Sequence, residues 1–344
     1  MASSTFLIRP DYAALAVRSR LRLAKCLPII ACLLAACSIN PPLNVAEVTG
    51  QANLVYVSGV PFFPQEAYQC GPAALAGVLG ASGVEITSAE LTPQVYLPER
   101  SGSLQLELLA ASRRAGRIPF VIQGSVEAIF SQVRSGRPVL VLQNLQTRSV
   151  PLWHYAVVVG YDGYANGVML NSGRQQGLLM SAPSFLRTWE WGGRWAMVAL
   201  APGSIPAHIT ATDYLQAVAD FQSVAGSGAS LPAWEAALQR WPKDARPYLA
   251  LGNIAYERGD FELAMMNYRQ GLRLSPADPG LSNNMASVLA ELGCPMSAMA
   301  VLRPAQTALE AGSRWQPVIA TTLAELSVGA NLDGPDCPGP GSPF

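Results

Sequence analysis

The sequence predicts an α+β domain of helices packed on an antiparallel sheet, followed by an all-helical repeat domain. In the first part, apolar residues recur mainly at helical spacing up to about residue 135 and then form the apolar runs typical of buried strands. Beyond residue 210 the pattern repeats with a period of 34 residues, the distance from Pro242 to Pro276. A chain of 344 residues that is 50% hydrophobic and 13% charged is long and apolar enough to fold as both domains.

The charge balance and the histidine count exclude two function classes. Basic and acidic residues number 23 each, which leaves no positive surplus for a phosphate backbone, so nucleic acid is not an expected partner. The chain has two histidines, far apart, and no close pair of cysteines. Metal sites need such ligands close together, so no metal is expected. No other cofactor is expected either.

The first 36 residues have the layout of an export signal. Basic residues from Arg18 to Lys25 precede an apolar run over 26–36, which is shorter than the ~20 residues needed to span a bilayer. The residues Leu-Ala-Ala-Cys at 34–37 resemble a bacterial lipobox. This resemblance implies cleavage before Cys37, lipidation of Cys37 and, with Ser38 next to it, sorting to the outer membrane. We therefore expect a lipoprotein on the periplasmic face of a bacterial membrane.

Cys70 opens the first predicted helix, over 70–80. Pro61 and Pro64 keep the preceding chain extended, and Pro72 suits a first helical turn. The unpaired N–H groups of a helix start favour a thiolate, so Cys70 is a candidate nucleophile. Gln65, five residues upstream, is a neutral donor that could reach an oxyanion. The alternative is a buried and inert cysteine.

The elements that follow predict how His154 and Asn171 meet. Helices are predicted over 88–96, 104–114 and 126–135, and strands over 118–122 and 138–142. His154 then opens a strand and Asn171 ends the next one. If Asp162-Gly163 forms a two-residue hairpin, His154 lies directly opposite Asn171 with Cβ atoms ~5 Å apart, which is the register we predict. A longer turn, from Asp162 to Gly167, would set His154 opposite Gln175 instead, four residues out of register with Asn171.

Gln65, Cys70-Gly71-Pro72, His154 and Asn171 form a series that resembles the papain-like cysteine peptidases. It is most similar to the bacteriocin-leader (double-glycine) peptidase family and its stand-alone bacterial relatives, over about residues 51–203. The resemblance implies that Cys70 is the nucleophile, His154 the general base, Asn171 the residue that orients the imidazole and Gln65 the oxyanion donor. That family usually has Asp at the third position and places the glutamine one residue further from the cysteine. Nothing here resembles the transporter fused to leader peptidases, so their substrate does not carry over.

The second half resembles tetratricopeptide repeats. A strong copy lies between Pro242 and Pro276, with degenerate copies over 211–244 and 279–312. Such a stack of helices has a concave surface suited to a peptide or a partner protein, although a brace that binds nothing external would have the same pattern. Cys294 and Cys337 are left over after the other cysteines are assigned. In an oxidising periplasm these two can pair and pin the tail to the last helices.

The predicted domain boundaries are 1–36 for the signal, 37–53 for a tether, 54–203 for the peptidase-like domain, 211–327 for the repeats and 328–344 for a tail. The expected function is a lipid-anchored periplasmic cysteine peptidase that acts on a protein or peptide and uses its repeats to bind a partner or the substrate. Two alternatives stay open: an inactive peptidase-fold binding or scaffold protein, and a cysteine acyltransferase or amidase. The tryptophans 153, 189, 191 and 195 either wall a substrate cleft or pack in the core and at the sheet edge.

Overall fold

The computed structural model describes residues 41–64, 69–328 and 337. Predictions about the signal, Cys37, Gln65 and most of the tail lie outside these residues. The helices of the first part are α1 (Val45–Thr49), α2 (Cys70–Ala81), α3 (Ser88–Val95), α4 (Gln105–Arg114), α5 (Val126–Arg134) and α6 (Ala182–Trp191). The strands are β1 (Leu54–Tyr56), β2 (Ile118–Val121), β3 (Val139–Asn144), β4 (Trp153–Asp162), β5 (Gly167–Ser172), β6 (Gln175–Ser181) and β7 (Ala196–Leu200). The predicted helices and strands between 70 and 142 agree with these bounds within two residues.

The described strands form one antiparallel sheet in the order β2-β7-β3-β4-β5-β6, with β1 pairing to the far half of β4. Helix α2 packs on one face of this sheet, where Gly77 comes close to the Val157 side chain of β4. On the other face Gln143 of β3 donates a hydrogen bond to Thr188 of α6, at 2.7 Å. The predicted α+β class is therefore confirmed, with helices on both faces of the sheet.

Small residues let the extended segment before α2 lie directly against that helix. Residues 71–79 of α2 are all buried. A Cβ atom added at Gly80 would lie 2.6 Å from the Pro61 ring, and one added at Gly77 would lie 3.0 Å from the Pro61 carbonyl oxygen. The glycine- and alanine-rich sequence of α2 thus gives the close packing that fixes the position of its first residue, Cys70.

The predicted two-residue hairpin between β4 and β5 is wrong. Asp162 pairs with Gly167, so the turn is the longer alternative. The Asp162 carboxylate accepts the N–H groups of residues 164 and 165 and holds this wider turn. A bulge between Val158 and Gly160 then shifts the register by one residue, so that Asn171 lies opposite Val157. Because side chains alternate along a strand, Asn171 faces the side of the sheet opposite to His154.

The region after residue 210 is all helical, as predicted. Its helices are α7 (Ala211–Ala225), α8 (Ser227–Arg240), α9 (Ala245–Glu257), α10 (Phe261–Leu274), α11 (Pro279–Glu291), α12 (Pro295–Ala308) and α13 (Trp315–Val328). Each of the three predicted copies contains one helix pair. Gly252 of α9 permits the close approach of α10, because a Cβ atom there would lie 2.3 Å from the Tyr268 ring. In the described part of the chain, no helix combines the length and apolar character needed to cross a bilayer.

Two contacts join the first repeat helix to the sheet-containing part. Arg113 of α4 pairs with Asp220 of α7 at 2.8 Å, and the rings of Phe120 and Tyr214 stack with centroids 5.2 Å apart. At the far end of the repeats, the structure joins Cys294 and Cys337 in a disulfide with Cα atoms 5.6 Å apart. Cys70 is the one free cysteine among the described residues.

Candidate active site

The Cys70 sulfur lies at the start of α2 among backbone N–H groups. The N–H groups of Tyr155, Gly71 and Cys70 itself bond to it and lower the pKa of its thiol. Burial of the side chain has the larger effect and raises the pKa of Cys70 above its ordinary value of 9.0. Desolvation disfavours the charged form, so the structure corrects the thiolate expected from the helix start alone: the resting group is a thiol.

The Tyr155 N–H is free to meet the sulfur because β5 ends early. In an antiparallel pair, alternate residues point their N–H groups away from the partner strand. Leu142, which lies opposite Tyr155, donates its N–H to Trp195 instead, so the Tyr155 N–H points away from β3 and toward β5. β5 stops at Ser172, which leaves this N–H without a strand partner. The sulfur occupies that gap, beside the peptide group that joins His154 to Tyr155.

The His154 side chain contacts the end of β5. Its Nε2 atom lies 2.9 Å from the hydroxyl oxygen of Ser172, the last residue of β5. The imidazole makes no other hydrogen bond within the described residues, so Nδ1 has no described partner. Burial lowers the pKa of His154 to about 4, because the site disfavours the imidazolium. At neutral pH both the thiol and the imidazole are therefore uncharged.

Asn171 does not make the contact that the sequence predicts for it. Its Oδ1 atom accepts the N–H of Gly177 in β6 at 3.0 Å, and its buried Nδ2 has no partner among the described residues. The bulge in β4 places Ser172, not Asn171, on the side of the sheet that carries His154. Ser172 therefore contacts the imidazole ring of His154 in place of Asn171.

Sequence reasoning missed Ser172, although one signal was present. Both registers considered for β4 and β5 set Asn171 on the same face as His154, and a one-residue bulge reverses that assignment. An isolated glycine within a strand often marks a bulge, and Gly160 interrupts the valine run of β4. A Cβ atom there would lie 2.5 Å from the Val55 carbonyl oxygen of β1. The glycine therefore permits the close approach of β1 at the point where the register shifts.

Gly71 fixes the start of α2 against a neighbouring loop. A Cβ atom at this position would lie 2.3 Å from the Ser103 hydroxyl oxygen, which is buried and has no hydrogen-bond partner in the described structure. The Ser103 carbonyl accepts the Tyr155 hydroxyl at 3.3 Å. The loop thereby contacts both α2 and β4 next to the sulfur. In the described ranges, no group of three or more His, Cys, Asp or Glu side chains could hold a metal ion.

Comparisons with known proteins give the class of each part. Residues 57–177 match the family model for the Peptidase_C39 like family, and residues 252–293 match that for a TPR repeat. The chain therefore combines a C39-like peptidase domain with tetratricopeptide repeats, and the sequence-based assignment of both is confirmed. No curated protein sequence matches the chain.

Three solved structures illustrate what the chain is similar to. A C39-like peptidase from Bacillus anthracis is 18% identical, with a TM-score of 0.39 over 43% of this chain and 98% of that one. The complex of the TPR2B domain of yeast Sti1 with pHsp70 is 16% identical, with a TM-score of 0.32 over 35% and 98%. The type III secretion chaperone SycD of Yersinia enterocolitica, in complex with a peptide of the translocator YopD, is 17% identical, with a TM-score of 0.32 over 34% and 92%.

Proposed function

We propose that this chain is a cysteine peptidase in which Cys70 is the nucleophile, His154 the general base and Ser172 the residue that orients the imidazole. One observation carries the proposal. The imidazole is bonded to Ser172 through Nε2, while the sulfur lies against the N–H of the residue that follows His154. The proposal requires that Nε2 carries the proton, which the Ser172 hydroxyl accepts, and that Nδ1 of the neutral ring faces the thiol.

The reaction starts from the neutral pair. Nδ1 of His154 takes the thiol proton as the Cys70 sulfur bonds to the substrate carbonyl carbon, and the carbonyl electron pair moves to oxygen. The C–N bond then breaks, and the imidazolium gives its proton to the leaving amine. A water molecule attacks the acyl-enzyme while His154 accepts its proton. Collapse of that intermediate releases the acid and returns the proton to the sulfur. Backbone N–H groups at the start of α2, with Gln65, are the proposed oxyanion donors.

We further propose that Cys37 carries a lipid that holds the protein on the periplasmic side of a bacterial membrane, in the outer membrane. The lipobox-like residues 34–37 support this. The repeats would bind a protein partner or the substrate itself, which is supported by the TPR match over 252–293 and by the concave surface that stacked helix pairs create.

An inactive binding protein is the second candidate. The observation in its favour is that burial raises the pKa of Cys70 and lowers that of His154, since an inert buried cysteine would show the same shifts. An acyltransferase or amidase would use the same side chains and differ only in the acceptor or the substrate.

Alkylation of Cys70 separates the first two candidates. Intact protein is treated with iodoacetamide between pH 5 and 10, and labelling of the Cys70 peptide is followed by mass spectrometry. We expect the wild type to react at least tenfold faster at pH 7 than His154→Ala, because only the wild type has a base to take the proton. His208→Ala, which changes the other histidine, serves as the matched control and should react like the wild type. Equal and slow labelling of wild type and His154→Ala would favour the inactive protein.

Product analysis identifies the reaction. Envelope protein termini are compared between cells with the wild-type chain and cells with Cys70→Ser. A peptidase produces new amino termini that Cys70→Ser cells lack. A transferase would instead produce acyl conjugates, and an amidase would leave the protein termini unchanged.

A further inference from the structure

Residues 139–200, which include His154 and Ser172, carry more positive than negative charge. The charged side chains within residues 139–200 are Asp162, Glu190, Arg148, Arg174, Arg187 and Arg194. Glu190 pairs with Arg194, and Asp162 holds the turn at the opposite end of β4. Within the described residues the other three arginines make no ion pair. They lie on the β3–β4 hairpin, on the β5–β6 turn and on α6.

Trp191 holds two of these arginines together. The guanidinium carbon of Arg148 lies 6.0 Å from the centroid of the indole ring, and that of Arg187 lies 5.4 Å from it. Stacking on an indole fixes the position of a guanidinium but leaves its charge in place, and its N–H groups remain able to bond a carboxylate in bidentate fashion. The buried Nε of Arg187 has no hydrogen-bond partner in the described structure. Two cations are therefore positioned without a described anion.

The hairpin between β3 and β4 adds exposed apolar surface. Its large exposed side chains are Leu145, Val150, Leu152 and Trp153. Trp153 keeps 54% of its surface exposed, whereas Trp189 is fully buried, so the predicted cleft role remains open for Trp153 and Trp189 belongs to the core. Trp153 directly precedes His154. The hairpin pairing continues to residues 147 and 150, which places Arg148 about 16 Å from the level of His154 at ~3.3 Å per residue.

We propose that this surface selects a polypeptide that carries acidic residues beside apolar ones. The surface consists of Arg148 and Arg187 on Trp191 and of the exposed hairpin residues 145–153. The proposal rests on the proposed peptidase function and names its substrate class. Apolar substrate side chains pack on the hairpin next to His154, and carboxylates bond the two guanidinium groups. An extended substrate advances ~3.3 Å per residue, so its acidic residues lie about five residues from the bond that Cys70 attacks.

Binding is measured on the full chain with Cys70→Ala, so that the result does not depend on catalysis. The probes are two fluorescein-labelled peptides of twelve residues with the same apolar residues, one with four Glu and the other with Gln at those four positions. Fluorescence anisotropy is recorded in 50 and 500 mM NaCl. We expect the Glu peptide to bind at least tenfold more tightly at low salt, and this preference to shrink at high salt because ions screen exposed charges.

Variants assign the preference to the surface. Arg148→Gln with Arg187→Gln should remove most of it. Arg148→Glu alone, at an exposed position, should reverse it toward a third peptide of the same series that has Lys at the four positions. Arg314→Gln is the matched control, because Arg314 also stacks on a tryptophan, at 5.7 Å, but lies in the repeats. It should keep the full preference.

Three results would overturn this inference: equal binding of the two peptides, a preference that survives both the double variant and Arg148→Glu, or binding to phosphatidylglycerol vesicles without binding to either peptide. The last would identify a membrane surface instead. Slow labelling of Cys70 together with a clear preference for the Glu peptide would reject the peptidase function but support the acidic-peptide surface. Failure of the peptidase proposal is therefore distinguishable from failure of the surface proposal.

Discussion

Replacing Ser172 by Asp tests the contact between residue 172 and the imidazole of His154. The Ser172 hydroxyl oxygen is 2.9 Å from Nε2 of His154, so a carboxylate there would lie next to the ring. Two unit charges ~4 Å apart at an effective dielectric constant of ~20 attract by about 4 kcal/mol, equivalent to a rise of about 3 in the imidazole pKa. The new carboxylate also loses hydration, so we expect a net rise of about 2, from about 4 to about 6. Proton transfer from Cys70 to His154 would then be about a hundredfold more favourable.

NMR titration of the imidazole measures this directly. The chain has two histidines, so a His208→Gln background leaves His154 as the one signal to follow. Ser172→Asn is the matched neutral control and should leave the pKa near its wild-type value. Alkylation of Cys70 at pH 7 should be faster in Ser172→Asp than in Ser172→Asn. A His154 pKa that stays below 5 in Ser172→Asp would refute the assignment of Ser172 as the partner of the ring.

Three further outcomes follow from the same structure. Folding lowers the pKa of His154 from 6.5 to about 4, so the unfolded chain binds an extra proton between these pH values. The free energy of unfolding should therefore be highest above pH ~6.5 and decrease by about 3 kcal/mol toward pH 4, as measured by denaturant unfolding. Gly71→Ala should cost about 1–3 kcal/mol and slow the labelling of Cys70, because the added methyl group collides with Ser103. Reduction of the Cys294–Cys337 disulfide, whose residues are 43 apart, should destabilise the repeats by up to about 4 kcal/mol, as followed by thermal unfolding with and without dithiothreitol.

Each of these has a matched control. His154→Gln should remove most of the pH dependence between 6.5 and 4, and a slope that persists unchanged would show that other groups cause it. Gly228→Ala, where an added Cβ meets nothing within 4 Å, should leave stability equal or slightly higher. If Gly71→Ala is as benign as Gly228→Ala, the close approach of Ser103 is not required. Cys337→Ser should reproduce the effect of dithiothreitol, and no change in either would argue that the bond does not stabilise the repeats.

Local sequence was sufficient to predict the helix that presents Cys70. Proline at 61 and 64, proline at 72 and the alanines that follow specify an extended segment and a helix start by steric effects within a few residues. The helix begins at Cys70 in the structure, and the sulfur lies among the first N–H groups. Burial could not be inferred in the same way. It depends on tertiary packing, since Tyr155, which contacts the sulfur, and Ser103, which packs against Gly71, are distant in the chain. Desolvation reverses the expected charge state of the sulfur.

The partner of His154 depends on a feature that strand patterns do not specify. The alternation of apolar residues predicts that β4 and β5 pair, but one inserted residue changes which face each later side chain occupies. The bulge sits where Gly160 backs onto β1, a strand about a hundred residues earlier in the chain. The choice between Asn171 and Ser172 is therefore a tertiary effect, although the position of His154 at the start of β4 is local and was predicted.

A serine at position 172 is neutral and does not reduce the positive charge of residues 139–200. A carboxylate at this position would stabilise the imidazolium and would stand two residues from Arg174, so it would offset part of the charge that Arg148, Arg174 and Arg187 present to a substrate. With a hydroxyl, this position adds no negative charge, and the positive charge of the three arginines is not reduced there. Ser172→Asp should therefore weaken binding of the Glu peptide by about two- to threefold at low salt while leaving the Gln peptide unaffected. Equal weakening of both peptides would mean that the substitution disturbs the cleft and not its charge, and this link between Ser172 and substrate choice would be rejected.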